Sequence, residues 1–64
     1  MTTLEKEIVL LMKQIGISKD ACIMIMNNIK TEIQQKKMLT FLQQNPTATN
    51  RQAVLEAKRI MDNY

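Results

Sequence analysis

The sequence contains few of the residues that build tight turns, disulfides and metal sites. Its 64 residues include no His, no Trp, one Cys, one Gly and one Pro. An all-β fold needs many turns, so the scarcity of Gly and Pro argues against one. A single Cys forms no disulfide within the chain, and without His it leaves too few ligands for a structural zinc site. These absences favour a helical fold held together by packing.

The same absences exclude the common catalytic arrangements. Without His, the most frequent general base is missing, and Cys22 has no imidazole to activate it as a nucleophile. One Gly is too few for a Gly-rich phosphate-binding loop. We therefore expect a protein that is not an enzyme, with no cofactor, no metal and no small-molecule substrate.

The sequence also contains no long apolar run. The run from Ile8 to Met12 is far shorter than the ~20 apolar residues that cross a membrane. Glu5 and Glu7 precede it, where a signal peptide would carry basic residues. The lone Cys is typical of a reducing compartment. These features predict a cytoplasmic protein that does not contact membranes.

Four segments carry apolar residues at helical spacing. The first helix is predicted at about residues 3–15, where Gly16 can adopt a positive φ and end it. The fourth is predicted at about 50–62, after the polar loop that contains Pro46. Three pairs of residues have the spacing of a capping box at predicted helix starts: Thr2 with Glu5, Thr31 with Gln34, and Thr49 with Gln52.

The middle of the chain predicts two helices, at about 18–30 and 31–44. The apolar set around Ile25 and the set around Leu42 are rotated by about 150° from each other on a straight helix. A break near Lys30 lets both sets face inward, although one long helix with two apolar faces is an alternative. The run from Ala21 to Met26 is apolar all round, which predicts a helix covered on most sides.

These segments predict an all-α fold, a compact bundle of four short helices forming a single domain over residues 1–64. The size scaling gives about 4,000 Å² of apolar area buried on folding, which stabilises the fold by about 100 kcal/mol. Ordering 64 residues costs about 96 kcal/mol. Because so little net stability remains, we expect a partner, either a second copy of the chain in a homodimer or another protein.

Several apolar residues lie off the stripes of their helices and are candidates for the contact with that partner. Val9 and Leu10 fall well away from the stripe of the first helix, and Ile23 and Met24 lie outside the stripe of the second. From Val9, Leu10 and Met24 we predict a non-enzymatic protein-interaction module that self-associates through apolar surface of its first two helices.

An alternative hypothesis is a small helix-turn-helix DNA-binding protein. Residues 30–64 carry six basic against three acidic residues and hold all the net charge of +3. The start of the fourth helix would meet base edges through Thr49, Asn50, Arg51 and Gln52, and phosphates would lie on Lys36, Lys37, Lys58 and Arg59. A long turn containing Pro46 and the modest net charge make binding to nucleic acid the less favoured hypothesis.

Overall fold

The computed structural model describes residues 1–63 and contains four α-helices in that part of the chain, with no β-strand there. The helices are α1 (Thr3–Ile15), α2 (Lys19–Asn28), α3 (Glu32–Gln44) and α4 (Asn50–Asn63). The predicted all-α bundle is confirmed, and each predicted helix end lies within two residues of the observed one.

Reciprocal side-chain hydrogen bonds begin three of the helices. At α1, the Glu5 N–H donates to Thr2 Oγ1 at 3.2 Å, while the Thr2 N–H donates to Glu5 Oε1 at 2.8 Å. The hydrogen bond from the Thr2 backbone holds the pKa of the Glu5 carboxyl below its usual range. The same reciprocal pair joins Thr31 to Gln34 at α3 and Thr49 to Gln52 at α4. Each satisfies backbone N–H groups that the helix itself leaves unpaired.

Gly16 ends α1 in the left-handed conformation, with φ of 98°. Its N–H donates to the carbonyl oxygens of Met12 and Lys13, and the Ile17 N–H donates to Met12 O at 2.9 Å. This pattern closes the last turn of α1 and turns Ile17 into the core, where it is 6% exposed. Ser18 then caps α2 by accepting a hydrogen bond from the Ala21 N–H.

Two buried glutamines hold the break between α2 and α3. Ile29 has an extended backbone, so α2 ends at Asn28. Gln34 Oε1 accepts hydrogen bonds from the N–H groups of Lys30 and Thr31, and Gln35 Nε2 donates to the Ile29 carbonyl at 3.3 Å. The break brings both apolar sets of the middle segment into one core, so the prediction of two helices is confirmed.

The two main helix pairings join helices that are not adjacent in the sequence. α1 packs mainly on α3, α2 mainly on α4, and α3 also packs on α4. All four helices contribute to one core, whose largest fully buried side chains are Ile8, Met12, Ile25, Ile29, Met38, Leu42 and Ile60. The Ser18 N–H donates to Asn50 Oδ1 at 2.9 Å and joins the start of α2 to the start of α4.

The prediction that α2 is covered on most sides is wrong for the single chain. Cys22, Ile25 and Ile29 are buried, but Ile23 is 52% exposed and Met24 is 48% exposed. The reason is that α2 has one main packing partner, α4. The side chains that point away from α4 therefore stay at the surface.

Candidate interaction surfaces

An apolar groove of about 600 Å³ runs between α1 and α2. Its position follows from the packing, because the two helices rest mainly on different partners and leave a gap between themselves. We call it the α1–α2 groove. It is lined by Met1, Val9, Lys13, Ile17, Lys19, Cys22, Ile23, Met26 and Asn27.

The three predicted interface residues occupy different parts of this surface. Val9 lines the α1–α2 groove and is partly buried against the core. Leu10 is 60% exposed and Met24 is 48% exposed, but neither lines the groove. The structure therefore places Val9 together with Ile23 and Met26, and separates it from the other two candidates.

Ile23 and Met26 were not among the predicted interface residues. The signal for Ile23 was present, since it lies off the buried stripe of α2 just as Met24 does. Choosing between the two requires knowing which flank of α2 faces α1. That depends on how the helices pair, and the spacing of apolar residues does not specify it.

Cys22 forms an unreactive part of the groove wall. Its side chain is buried, and its thiol donates a long hydrogen bond to the Ile17 carbonyl at 3.8 Å. Burial raises the pKa of the Cys22 thiol, so the thiol stays protonated at neutral pH. Such a thiol contributes apolar surface, and it is a poor nucleophile.

The half of the chain that forms this groove carries no net charge. Within residues 1–29, Lys6, Lys13 and Lys19 balance Glu5, Glu7 and Asp20. The whole excess of positive charge lies in residues 30–64. The lining of the α1–α2 groove itself holds two cations, Lys13 and Lys19, and no acidic residue. The acids that balance them lie on the same two helices but outside the groove.

The residues assigned to base reading in the DNA hypothesis lie at the start of α4. Gln52 Oε1 accepts a hydrogen bond from the Thr49 N–H at 2.9 Å, and Asn50 Oδ1 accepts one from the Ser18 N–H. Arg51 is exposed. Recognition of adenine by glutamine uses both ends of the side-chain amide, so reading a base with Gln52 would require breaking the α4 cap.

A second groove, of about 530 Å³, lies between α3 and α4. We call it the α3–α4 groove. It is lined by Lys36, Lys37, Thr40, Phe41, Gln44, Glu56, Arg59 and Ile60. Arg59 donates two hydrogen bonds to the Glu56 carboxylate, at 2.7 and 3.0 Å. Three of the four predicted phosphate contacts line this groove, and the fourth, Lys58, is exposed outside it.

Metal sites and membrane-spanning helices within residues 1–63, and similarity to known proteins, were each sought without a match. Residues 1–63 contain no group of three or more acidic or Cys side chains placed to hold a metal ion. None of the four helices combines the length and apolarity that crossing a membrane requires. The chain matches no protein-family model, no curated protein and no solved structure.

Proposed function

We propose that this chain is a non-enzymatic protein-interaction module that forms a homodimer through its α1 and α2 helices. The observation that carries the proposal is the α1–α2 groove, an apolar surface lined by Val9, Ile23 and Met26 with Ile23 about half exposed. Apolar side chains gathered around a groove mark interaction sites more often than scattered ones do.

Of the two halves of the chain, the α1–α2 half is the one whose charge permits contact between two copies. It has equal numbers of acidic and basic residues, so the acids of one copy can lie near Lys13 and Lys19 of the other. Self-association through the α3–α4 half would instead bring two net positive faces together.

The size of the molecule is compatible with such a dimer. An interface of ordinary size covers about 800 Å² on each partner. The described chain exposes 4299 Å², so the interface would occupy about a fifth of the surface, roughly one face of the molecule. Leu10 and Met24 are exposed on the same two helices but do not line the groove, so the proposal gives them at most a place at the edge of the contact.

The proposal predicts that Ile23→Glu dissociates the dimer. The substitution removes the exposed apolar side chain from the contact and replaces it with a carboxylate that must lose its water there, so we expect the dimer dissociation constant to rise about 100-fold. We also expect Leu10→Glu to shift the chain toward monomer with its helicity retained, because Leu10 is too exposed to support the core. Sedimentation equilibrium gives the mass, and circular dichroism gives the helicity.

Ile33→Glu is the matched control. Ile33 is 64% exposed in the first turn of α3, and it lines neither the α1–α2 nor the α3–α4 groove. An acid in the first turn of a helix is favourable, so this variant should keep both the wild-type mass and its helicity. A wild-type chain that stays monomeric at millimolar concentration would contradict the proposal, as would equal dissociation by Ile33→Glu.

A further inference from the structure

The α3–α4 groove is lined by three basic side chains, more than line any other groove described for residues 1–63. Lys36, Lys37 and Arg59 line it together with one acid, Glu56, which leaves a net charge of +2 among the lining residues. Glu56 is held by Arg59 and its side chain is only 16% exposed, so it presents little negative charge to a ligand. A concave basic surface of this kind attracts anionic groups.

An aromatic ring lies among these cations. Phe41 is the only Phe in the sequence, and it is partly buried with part of its surface in the α3–α4 groove. It also lines a shallow continuation of that groove toward Asn45, Gln52 and Leu55. Phe41 and Arg59 therefore line both depressions, and Lys36 and Lys37 line only the first. An aromatic ring beside a row of cations is the combination that single-stranded nucleic acid uses, with bases stacked on the ring and phosphates on the cations.

We infer that the α3–α4 groove binds single-stranded nucleic acid, with a base on Phe41 and phosphates on Lys36, Lys37 and Arg59. This differs from the duplex hypothesis, which places the start of α4 in a major groove. Stacking on a partly buried ring requires an unpaired base, and the polar groups of Asn50 and Gln52 are already engaged in holding α4.

The ion pairs around the groove are compatible with phosphate binding. Lys36 lies 3.4 Å from Glu32, and both side chains are more than 60% exposed, so this pair contributes little and can exchange for a phosphate. The two hydrogen bonds to Glu56 fix the direction of the Arg59 guanidinium. That fixed direction reduces the entropy lost when a phosphate binds beside it.

The proposed nucleic-acid site lies on a different surface from the proposed dimer contact, so an experiment can contradict either proposal and leave the other standing. None of the residues that line the α1–α2 groove lines the α3–α4 groove. Loss of the dimer in Ile23→Glu would leave this groove intact. Absence of nucleic-acid binding would leave the sedimentation result unchanged.

The test uses the whole chain and a fluorescein-labelled oligothymidine of about 12 nucleotides, followed by fluorescence anisotropy. Three cations on phosphates predict a slope of about −2 for the logarithm of the binding constant against the logarithm of salt concentration. Lys36→Gln should make that slope shallower by about 0.7. An abasic oligomer of the same length should bind about tenfold more weakly, because it keeps the phosphates and lacks the stacking.

Lys58→Gln is the matched control, since it removes the same charge from α4 outside the groove. It should bind the oligothymidine as the wild type does, and Phe41→Leu should bind it about as weakly as the wild type binds the abasic oligomer. The abasic probe keeps the stacking test valid even if Phe41→Leu loses helicity. The inference would be overturned if the chain did not bind oligothymidine at low salt, or if it bound the abasic oligomer or poly-glutamate as tightly as oligothymidine. It would also be overturned if Lys58→Gln weakened binding as much as Lys36→Gln does.

Discussion

At Gly16 the backbone takes a conformation that other residues adopt only with strain. Its φ is 98°, and it is the only residue from 1 to 63 with a positive φ. A Cβ added there meets no atom within 4 Å. Glycine is therefore required at this position for backbone reasons alone, since there is space for a side chain.

We predict that Gly16→Ala lowers the free energy of unfolding by about 1 kcal/mol, the cost of a left-handed conformation for an L-residue. In a domain of this size the loss lowers the melting temperature by about 4–8 °C. Thermal unfolding followed by circular dichroism measures it. Gly16→Asn should lose less, because Asn tolerates this conformation best among the other residues. Equal losses for Ala and Asn would contradict a purely conformational cost.

At the scale of elements, the break between α2 and α3 decides whether the chain forms a bundle. Gln34 Oε1 accepts hydrogen bonds from two consecutive N–H groups, those of Lys30 and Thr31. Gln35 binds the carbonyl of Ile29 from the other side. Together the two side chains replace the helical hydrogen bonds that a continuous helix would have made here, so the break costs little.

We predict that Gln34→Ala destabilises the fold by about 1–3 kcal/mol, because two partly buried N–H groups lose their acceptor. Gln43→Ala is the control, since Gln43 is exposed in the same helix and Ala is a good helix former. Urea unfolding followed by circular dichroism compares the two variants. A Gln34→Ala protein as stable as Gln43→Ala would show that water replaces the side chain without cost.

Local rules predicted the helices well, because the groups involved lie within a few residues of each other. Three of the predicted boundaries show this. The Thr2–Glu5 spacing marked the start of α1, Gly16 marked its end, and the phase change before Leu42 marked the break between α2 and α3. α2 ends two residues earlier than predicted, because Gln34 reaches back to the N–H of Lys30 as well as to its own cap.

The interaction surfaces were less predictable, because they depend on which helices meet. Apolar spacing placed Val9 and Met24 outside their stripes, and both have some exposed surface. It did not reveal that α1 pairs with α3 and α2 with α4, nor that Val9 and Ile23 line the same groove. The groove around Phe41 likewise depends on the contact between α3 and α4.

At the scale of the whole molecule, the net charge is divided unequally between the two halves of the sequence. The α1–α2 half is neutral, and residues 30–64 hold the net charge of +3. Salt screens contacts between exposed charges and leaves apolar contacts largely unchanged. The two proposed surfaces therefore differ in their response to ionic strength.

We predict that the dimer dissociation constant changes less than about threefold between roughly 0.05 and 0.5 M NaCl. The melting temperature should rise with protein concentration, because a dimer that forms only from folded chains stabilises them by mass action. Sedimentation and thermal melts over a concentration series check both points. A melting temperature independent of concentration, or a dimer that dissociates as salt rises, would contradict an apolar contact between two copies.

Because α1 packs on α3 and α2 packs on α4, the order in which the helices are synthesised affects when they can fold. α1 and α2 leave the ribosome first, yet each rests mainly on a helix that is made later. A nascent chain ending near Lys30 thus has its apolar stripes formed and nothing to cover them. The main contact of α1 becomes possible once α3 has been translated, and that of α2 only once α4 has been, so the complete core depends on the last helix to be made.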